Sequence, residues 1–259
     1  MVPLADTHVH LLAGTDDGPR TAEEAVAMCR MLVAEGARFA TALAHQHPFY
    51  PDNTPDRLRA AAAELIATLK AENIPLAVYP SAEIMLTPEL AAEWSAGRLL
   101  SLADRGQWLL VEMPNNQFVD LRPVAAELKP LGVRIVVAHA ERYEPLLHDL
   151  PLAVEFIAAG CLLQVTTGAI ADPPPGDEPA IKQWAKAGMI HVLGSDGHRL
   201  DRRQPRLQAG FETLARWVGP AAADVIGGIR GAALLQGLNV TVPAPKPPKA
   251  SWFTRLFGG

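Results

Sequence analysis

Histidines and carboxylates recur in this sequence in short, closely spaced sets. Asp6-Thr7-His8-Val9-His10 stands near the start, followed by His45-Gln46-His47, Glu83, Glu112, His139 and Asp196-Gly197-His198. Imidazole nitrogens and carboxylate oxygens without thiolates are the donors that divalent transition metals take. An H-x-H pair in extended backbone sends both rings to one side, because side chains alternate with a period of two. Such a donor set is too large for one ion, so two or three ions sharing bridging carboxylates are expected. Other chemistries lack parts. A cysteine phosphatase needs Cys-x5-Arg, but Glu35 and Thr167 stand six residues beyond Cys29 and Cys161. Ser195 lies in Leu193-Gly194-Ser195-Asp196-Gly197, which lacks the first glycine of a nucleophile elbow. Gly227-Gly228-Ile229-Arg230-Gly231 has no strand before it and no Lys-Ser/Thr, so it is no nucleotide loop.

Something must bring these donors together. Seven short apolar runs, at 3–7, 39–44, 76–81, 108–111, 133–138, 162–165 and 190–194, show little alternation, as strands buried on both faces do. Helical patterns separate them. Thr21-Ala-Glu-Glu24 is a capping box opening a helix that closes at Gly36, and Thr54-Pro55 opens one that runs to about Glu72. Further helices are expected over 88–96, 121–131, 150–159, 178–187, 205–218 and 221–237. Strands alternating with helices imply parallel pairing in a closed or nearly closed α/β barrel, with an open doubly wound sheet as the alternative. In a barrel the C-terminal strand ends share one face, where active sites lie. The donor sets all fall at those ends, and of the 8 histidines only His148 and His191 lie elsewhere.

A chain of 259 residues, 49% hydrophobic and 20% charged, suits one large domain. Its formal charge of -5 argues against a general nucleic-acid binder. No apolar stretch is long enough to span a bilayer and no signal-peptide pattern opens the chain, so a cytoplasmic protein is expected. Arg142, three residues after His139, should stand above the metals, where a guanidinium fork suits a phosphoryl group. Arg203 is a second candidate, while Arg199, Arg202 and Arg206 are expected to be solvated. The domain should cover 1–242. A Pro-rich linker then leads into a tail, 243–259, in which Trp252, Phe253, Leu256 and Phe257 would share one face of a short helix. That tail either folds back or docks on a partner or membrane surface.

With these residues in view, the sequence resembles the polymerase-and-histidinol-phosphatase (PHP) superfamily, and within it the bacterial manganese-dependent tyrosine phosphatases linked to capsule and exopolysaccharide loci. The stretches that carry the resemblance are Asp6-Thr-His-Val-His10, Asp16-Asp-Gly18, Ala44-His45, Ala82-Glu83-Ile84, Val111-Glu112, Val137-Ala-His-Ala-Glu-Arg-Tyr143 and Gly194-Ser-Asp-Gly-His198. The D-D-G turn and the A-H-x-E-R-Y segment point to the tyrosine phosphatase branch.

The resemblance implies a distorted seven-stranded (β/α) barrel with up to three divalent ions, manganese first and zinc or iron as alternatives. His8, His10, Glu83 and Asp196 would hold one ion. Glu83 would bridge to a second, shared with Glu112 and His139. Asp17, His45 and His198 would hold the third, and either ring of His45-Gln46-His47 remains open as the ligand. Arg142 would bind phosphoryl oxygens with Arg203 as a second clamp, and Asp17 is the nearest candidate acid. The implied activity is hydrolysis of phosphotyrosine on a protein, with a cognate bacterial tyrosine kinase of polysaccharide export as partner. The alternatives are a small-molecule phosphatase, such as one for histidinol phosphate, and a metal-bound docking module without turnover.

Overall fold

A computed structural model describes residues 2–241 and 244–245. Seven strands form: β1 (Leu4–Asp6), β2 (Ala37–Gln46), β3 (Ala77–Met85), β4 (Trp108–Glu112), β5 (Arg134–Val137), β6 (Leu162–Thr166) and β7 (Val192–Gly194). They pair in parallel in the order β1-β2-β3-β4-β5-β6-β7. The seam between β7 and β1 is bridged rather than laddered. Thr7 N–H donates to the Leu193 carbonyl (3.1 Å), Asp196 N–H to His8 (2.8 Å) and His10 N–H to Gly197 (2.9 Å). The result is the nearly closed, distorted barrel expected of the sequence, and the open doubly wound alternative is excluded.

The helices are α1 (Ala22–Ala34), α2 (Pro55–Ala71), α3 (Leu90–Ser95), α4 (Arg122–Leu128), α5 (Glu144–His148), α6 (Leu150–Ala158), α7 (Thr167–Ala171), α8 (Glu178–Ala187), α9 (Gln208–Val218), α10 (Pro220–Asp224) and α11 (Arg230–Leu235). Thr21 and Thr54 cap α1 and α2 by accepting from Glu24 N–H and Arg57 N–H, as their sequences require. The expected helix over 221–237 is instead α10, a π segment (Val225–Ile229) and α11. Close packing is the reason. A Cβ on Gly228 would lie 2.6 Å from the Pro3 carbonyl oxygen, and one on Gly227 2.6 Å from the Phe211 ring. Only bare backbone fits there, and the wider turn accommodates it.

The barrel interior is divided along its axis. Leu43, Trp108, Leu110, Val136, Ala138, Leu162 and Val192 form an apolar layer closed from below by Leu234 and Leu235 of α11. Two residues further along the strands the period of two puts His45 after Leu43, Glu112 after Leu110, Gln164 after Leu162 and Gly194 after Val192. The same pleat that plugs the bottom therefore gathers polar groups at the top. The expected tail at 243–259 lies, but for residues 244–245, outside the described residues.

Candidate metal centre

The upper interior holds nine candidate donors, eight from six strand ends and Asp17 from the turn after β1. Buried polar groups cost free energy unless partnered, so what these atoms face is informative. His8 Nε2 lies 3.1 Å from Glu83 Oε2 and 3.4 Å from Asp196 Oδ1. His10 Nε2 is 3.2 Å from the same Glu83 oxygen. His45 Nδ1 is 3.3 Å from Glu83 and 3.2 Å from Glu112, and its Nε2 is 3.6 Å from Asp17 Oδ1. His198 Nε2 is 3.3 Å from Asp17 Oδ1. His139 Nε2 is 3.0 Å from Glu83 Oε1 and 3.9 Å from Glu112 Oε2. Glu83, 1% exposed, therefore stands at the centre of the cluster.

Proximity is not bonding here. His8 Nε2, His10 Nε2, His45 Nδ1, His198 Nε2 and Asp17 Oδ1 are buried without a hydrogen-bond partner among the described residues. The opposite edges of the rings explain which atoms are left. The Gln164 amide donates to Thr7 Oγ1 (2.7 Å) and the Thr7 carbonyl (3.2 Å), which turns its Oε1 to His8 Nδ1 at 2.8 Å. His8 Nδ1 must then carry the proton, and Nε2 presents a lone pair to the cluster. Asp16 does the same for His10 (Nδ1–Oδ2 2.7 Å), and the Asp196 carbonyl for His198 (2.9 Å). Hydrogen bonding on the far nitrogen is how proteins orient metal-ligating imidazoles. The inward atoms of His8, His10, His45, His198 and Asp17 converge on common points and, once the rings give up their extra protons, form a donor set that fits divalent ions.

Three groups of donors lie within metal-binding reach: His10, Asp17, His45 and His198; His8, His10 and Asp196; and His45, Glu83 and Glu112. These groups overlap the three ion positions implied by the resemblance without coinciding with them: His10 joins Asp17, His45 and His198, Glu83 is absent from the group of His8 and Asp196, and His45 stands with Glu83 and Glu112 where His139 was expected. His139 stands outside these groups, its Nε2 engaged by Glu83 and its Nδ1 3.4 Å from the Tyr143 hydroxyl. Of the two rings at the end of β2, the structure brings His45 into the cluster. His47 turns away and accepts from Phe49 N–H through Nδ1 (3.0 Å).

The electrostatics follow from packing bases among acids. Burial opposes charge on His10, but Asp16 beside it outweighs that and raises the ring to about 9. Burial likewise opposes charge on His45, which Asp17, Glu112 and Glu83 push up to about 12. Asp17 is held far below the usual carboxylate range by His198 and His45. It therefore keeps no proton to donate at neutral pH, which suits a ligand and speaks against the acid role considered for it. Protons on these rings and divalent cations answer the same carboxylates, so metal binding should displace protons.

Asp196 faces two ways. Its Oδ1 lies toward the imidazoles, and its Oδ2 accepts from both Arg142 and Arg203. Both expected arginines thus meet at one carboxylate on the edge of the cluster. His139, Asp196 and Arg203 all have left-handed backbone (φ 32, 52 and 52°), a conformation that costs non-glycine residues on the order of 1 kcal/mol. Local bonds hold it: Asp196 N–H to His8, and His198 N–H to the Arg203 carbonyl at 2.8 Å. Glu141, from the same segment as Arg142, is buried and accepts from Thr166 N–H and Oγ1–H, tying that loop to β6. Arg199 departs from expectation. It is 7% exposed and pairs with Asp201 at 2.6 Å rather than standing in solvent.

From Arg142, Asp196 and Arg203 a cleft of about 690 Å³ runs outward past Asn116, Leu147, Ala169 and Pro174. Its rim carries the exposed acids Glu144 and Asp172. Sequence reasoning missed the orienting groups Gln164 and Asp16. Gln164 had a signal, being a lone amide inside the apolar strand Leu162–Thr166, whereas Asp16 had only its place beside Asp17.

Comparison with known proteins places the chain by fold and sequence. A solved structure of the metal-dependent tyrosine phosphatases YwqE of Bacillus subtilis and CpsB of Streptococcus pneumoniae superposes with a TM-score of 0.87 at 27% identity, covering 95% of this chain and 100% of that one. The tyrosine-protein phosphatase YwqE of Bacillus subtilis is 28% identical across 98% of this chain and 99% of its own length. The tyrosine-protein phosphatase CpsB of Streptococcus pneumoniae is 23% identical across 85% of this chain and 93% of its own. A β-aspartyl dipeptidase from Fervidobacterium islandicum shares the fold alone, with a TM-score of 0.54 at 15% identity. The family model for capsular polysaccharide synthesis, CpsB/CapC, matches residues 4–235. The chain belongs to the CpsB/CapC family.

Proposed function

We propose that this protein is a manganese-dependent protein-tyrosine phosphatase whose substrate is a phosphorylated bacterial tyrosine kinase of capsule or exopolysaccharide synthesis. The observation that carries the reading is the meeting of Arg142 and Arg203 at Asp196, with orphaned histidine and carboxylate atoms on one side and an open cleft on the other. We assign His8, His10, Asp17, His45, Glu83, Glu112, His139, Asp196 and His198 as ligands of two or three ions. When bound, such ions supply Lewis-acid stabilisation of phosphoryl charge and a nucleophile at neutral pH.

The chain's own residues do the rest. Each guanidinium spends part of its fork on Asp196 and keeps other N–H donors for the phosphoryl oxygens, where charge accumulates in the transition state. Gln164 and Asp16 hold His8 and His10 in the tautomer that turns Nε2 inward. A phenolate leaving group, with a pKa of about 10, needs little help from an acid, which agrees with the fully ionised Asp17. An open cleft with an apolar wall admits a tyrosine side chain that is still part of a polypeptide. A fully enclosed pocket would instead suit a small metabolite.

We further assign residues 1–242 to one phosphatase domain acting in the cytoplasm, and 243–259 to a linker and docking tail. No helix among the described residues is long and apolar enough to cross a membrane. Deleting 243–259 should leave hydrolysis of a small aryl phosphate unchanged, and a large loss would remove the docking role. The central test is phosphate release with added manganese from phosphotyrosyl peptides and from histidinol phosphate, with His139→Ala as control. Peptide-selective release that the variant loses supports the reading, preference for histidinol phosphate moves the function to small-molecule metabolism, and silence on both with metal bound favours a docking module.

A further inference from the structure

Asp16 takes no place among the assigned ligands, yet its carboxylate ties together three parts of the site. Its side chain is fully buried. One oxygen, Oδ2, accepts from the ring of His10 (2.7 Å) and from the backbone N–H of His45 (2.9 Å). The other, Oδ1, accepts from Gly18 N–H (2.9 Å) and so folds the turn that carries Asp17. One carboxylate therefore fixes the ring of His10, the end of β2 that bears His45 and the backbone on either side of Asp17. These are three of the four members of the donor group His10, Asp17, His45 and His198.

Each of the other two groups shares one member with this one, His10 or His45, but its remaining members have supports of their own. His8 is held by Gln164, and Asp196 by its own N–H bond to the His8 carbonyl and by two arginines. Glu83 and Glu112 stand on strands β3 and β4, paired through Met85 and Glu112. Even His10 keeps its backbone bond to Gly197 without Asp16. The loop around Asp17 is also closed by Gly14 N–H to the Pro19 carbonyl (2.9 Å) and anchored by Asn53 to the Thr15 carbonyl (3.1 Å), but the Asp16–Gly18 bond is the one that spans Asp17 itself. Asp17 Oδ1 reaches His45 and His198 only if that turn stays closed.

We propose that Asp16 is the positioning residue for one metal position, the one formed by Asp17, His45 and His198, and that its loss empties that position while the others still fill. The inference rests on the metal-centre reading above. Outer hydrogen-bond partners of metal ligands typically govern 10–100-fold in affinity, so the affected ion should weaken by that factor. An asparagine at 16 can still offer one carbonyl oxygen, but its NH2 would face Gly18 N–H, donor against donor, and the turn would open. Gly18 gives an approach that leaves Asp16 intact. A Cβ there would lie 2.9 Å from Asp16 Oδ1 and 3.0 Å from His10 Cβ, so Gly18→Ala should push the carboxylate out of its turn.

The experiment counts manganese per chain by metal analysis and calorimetric titration in the full-length protein, Asp16→Asn, Gly18→Ala, Asp17→Asn and the Asp16→Asn/Asp17→Asn double variant. Melting in chelator reports whether each metal-free variant is folded, and Gly18→Ala carries the test if Asp16→Asn does not fold. The expected result is one tight equivalent fewer than wild type in every variant, with the double variant losing no more than either single one. Full occupancy at wild-type affinity in Asp16→Asn or Gly18→Ala would overturn the proposal. Loss of every ion in folded Asp16→Asn would overturn it as well, because Asp16 would then be a brace for the whole centre. A wild-type protein that binds no manganese refutes the metal-centre reading itself, a result separable from both.

Discussion

Adding one methyl group at Gly194 should disturb the metal centre from behind. Gly194 ends β7 directly beneath the donors, and an ideal Cβ there would stand 2.4 Å from His8 Cβ, 3.3 Å from His8 Cα and 3.3 Å from Gln164 Cδ. Carbon atoms in contact settle at about 3.5–4.0 Å, so β1 and β7 must part by roughly an ångström or more. They cannot do so freely, because Thr7 N–H to Leu193 and Asp196 N–H to His8 clamp the seam on both sides of the intrusion. Overpacking of this kind costs about 1–3 kcal/mol. Metal–ligand distances tolerate only about 0.2 Å, so moving His8 or Gln164 by half the required shift should weaken the adjacent ion about 10–100-fold. Urea unfolding of Gly194→Ala in chelator isolates the packing cost, and calorimetric manganese titration isolates the effect on binding. Gly168→Ala is the stability control, since nothing lies within 4 Å of its Cβ position and it sits in α7, where alanine should be neutral or slightly stabilising. An unchanged urea midpoint together with wild-type manganese affinity in Gly194→Ala would refute the placement of His8 against β7.

Three further outcomes are expected. Manganese at a hundredfold excess over Kd should stabilise the native chain by about 2.7 kcal/mol per ion, which raises Tm by roughly 5–10 °C and is reversed by chelator; a Tm that ignores manganese contradicts the metal site. Arg142→Lys should lower kcat/KM for a phosphotyrosyl peptide by about 10²-fold or more while leaving the manganese count intact, because a lysine cannot reproduce the planar fork; near-wild-type kinetics would remove Arg142 from phosphoryl binding. His191 is buried beside Arg230, accepts from Leu163 N–H through Nδ1 and is pushed down to about 3 by burial and by that arginine. Its folded value lies below the unfolded 6.5, so between the two the unfolded chain binds a proton that the native one does not. Stability is therefore full above pH 6.5 and falls by about 1.4 kcal/mol per unit below it, or about 2 kcal/mol by pH 5. His191→Asn, measured against wild type in chelator between pH 7 and 5, should flatten the acid limb by that amount, and parallel curves would contradict it.

The strands and the candidate donors were legible in the sequence because both depend on local pattern. Runs such as Leu162–Thr166 and Trp108–Glu112 declare burial on both faces, and a parallel barrel leaves His45, Glu83, Glu112, His139 and Asp196 no choice but one rim. The resemblance to PHP phosphatases named nearly the same residues from motif alone. What the sequence could not contain was the direction of each ring and the partner behind it. His45 and His47 are indistinguishable as H-x-H, and only the turn after β2 sends one inward and the other onto Phe49 N–H. Gln164 meets His8 across 156 positions of chain, and Asp16 meets the backbone of His45 across 29. The short helices α5 and α7 escaped, as did the π segment inside the helix expected over 221–237. Helical periodicity needs several turns to show, and the close approach of Gly228 to Pro3 is set by a packing partner from the far end of the chain. Local chemistry fixed which atoms could bind metal, whereas long-range packing decided which of them present a lone pair to a shared point.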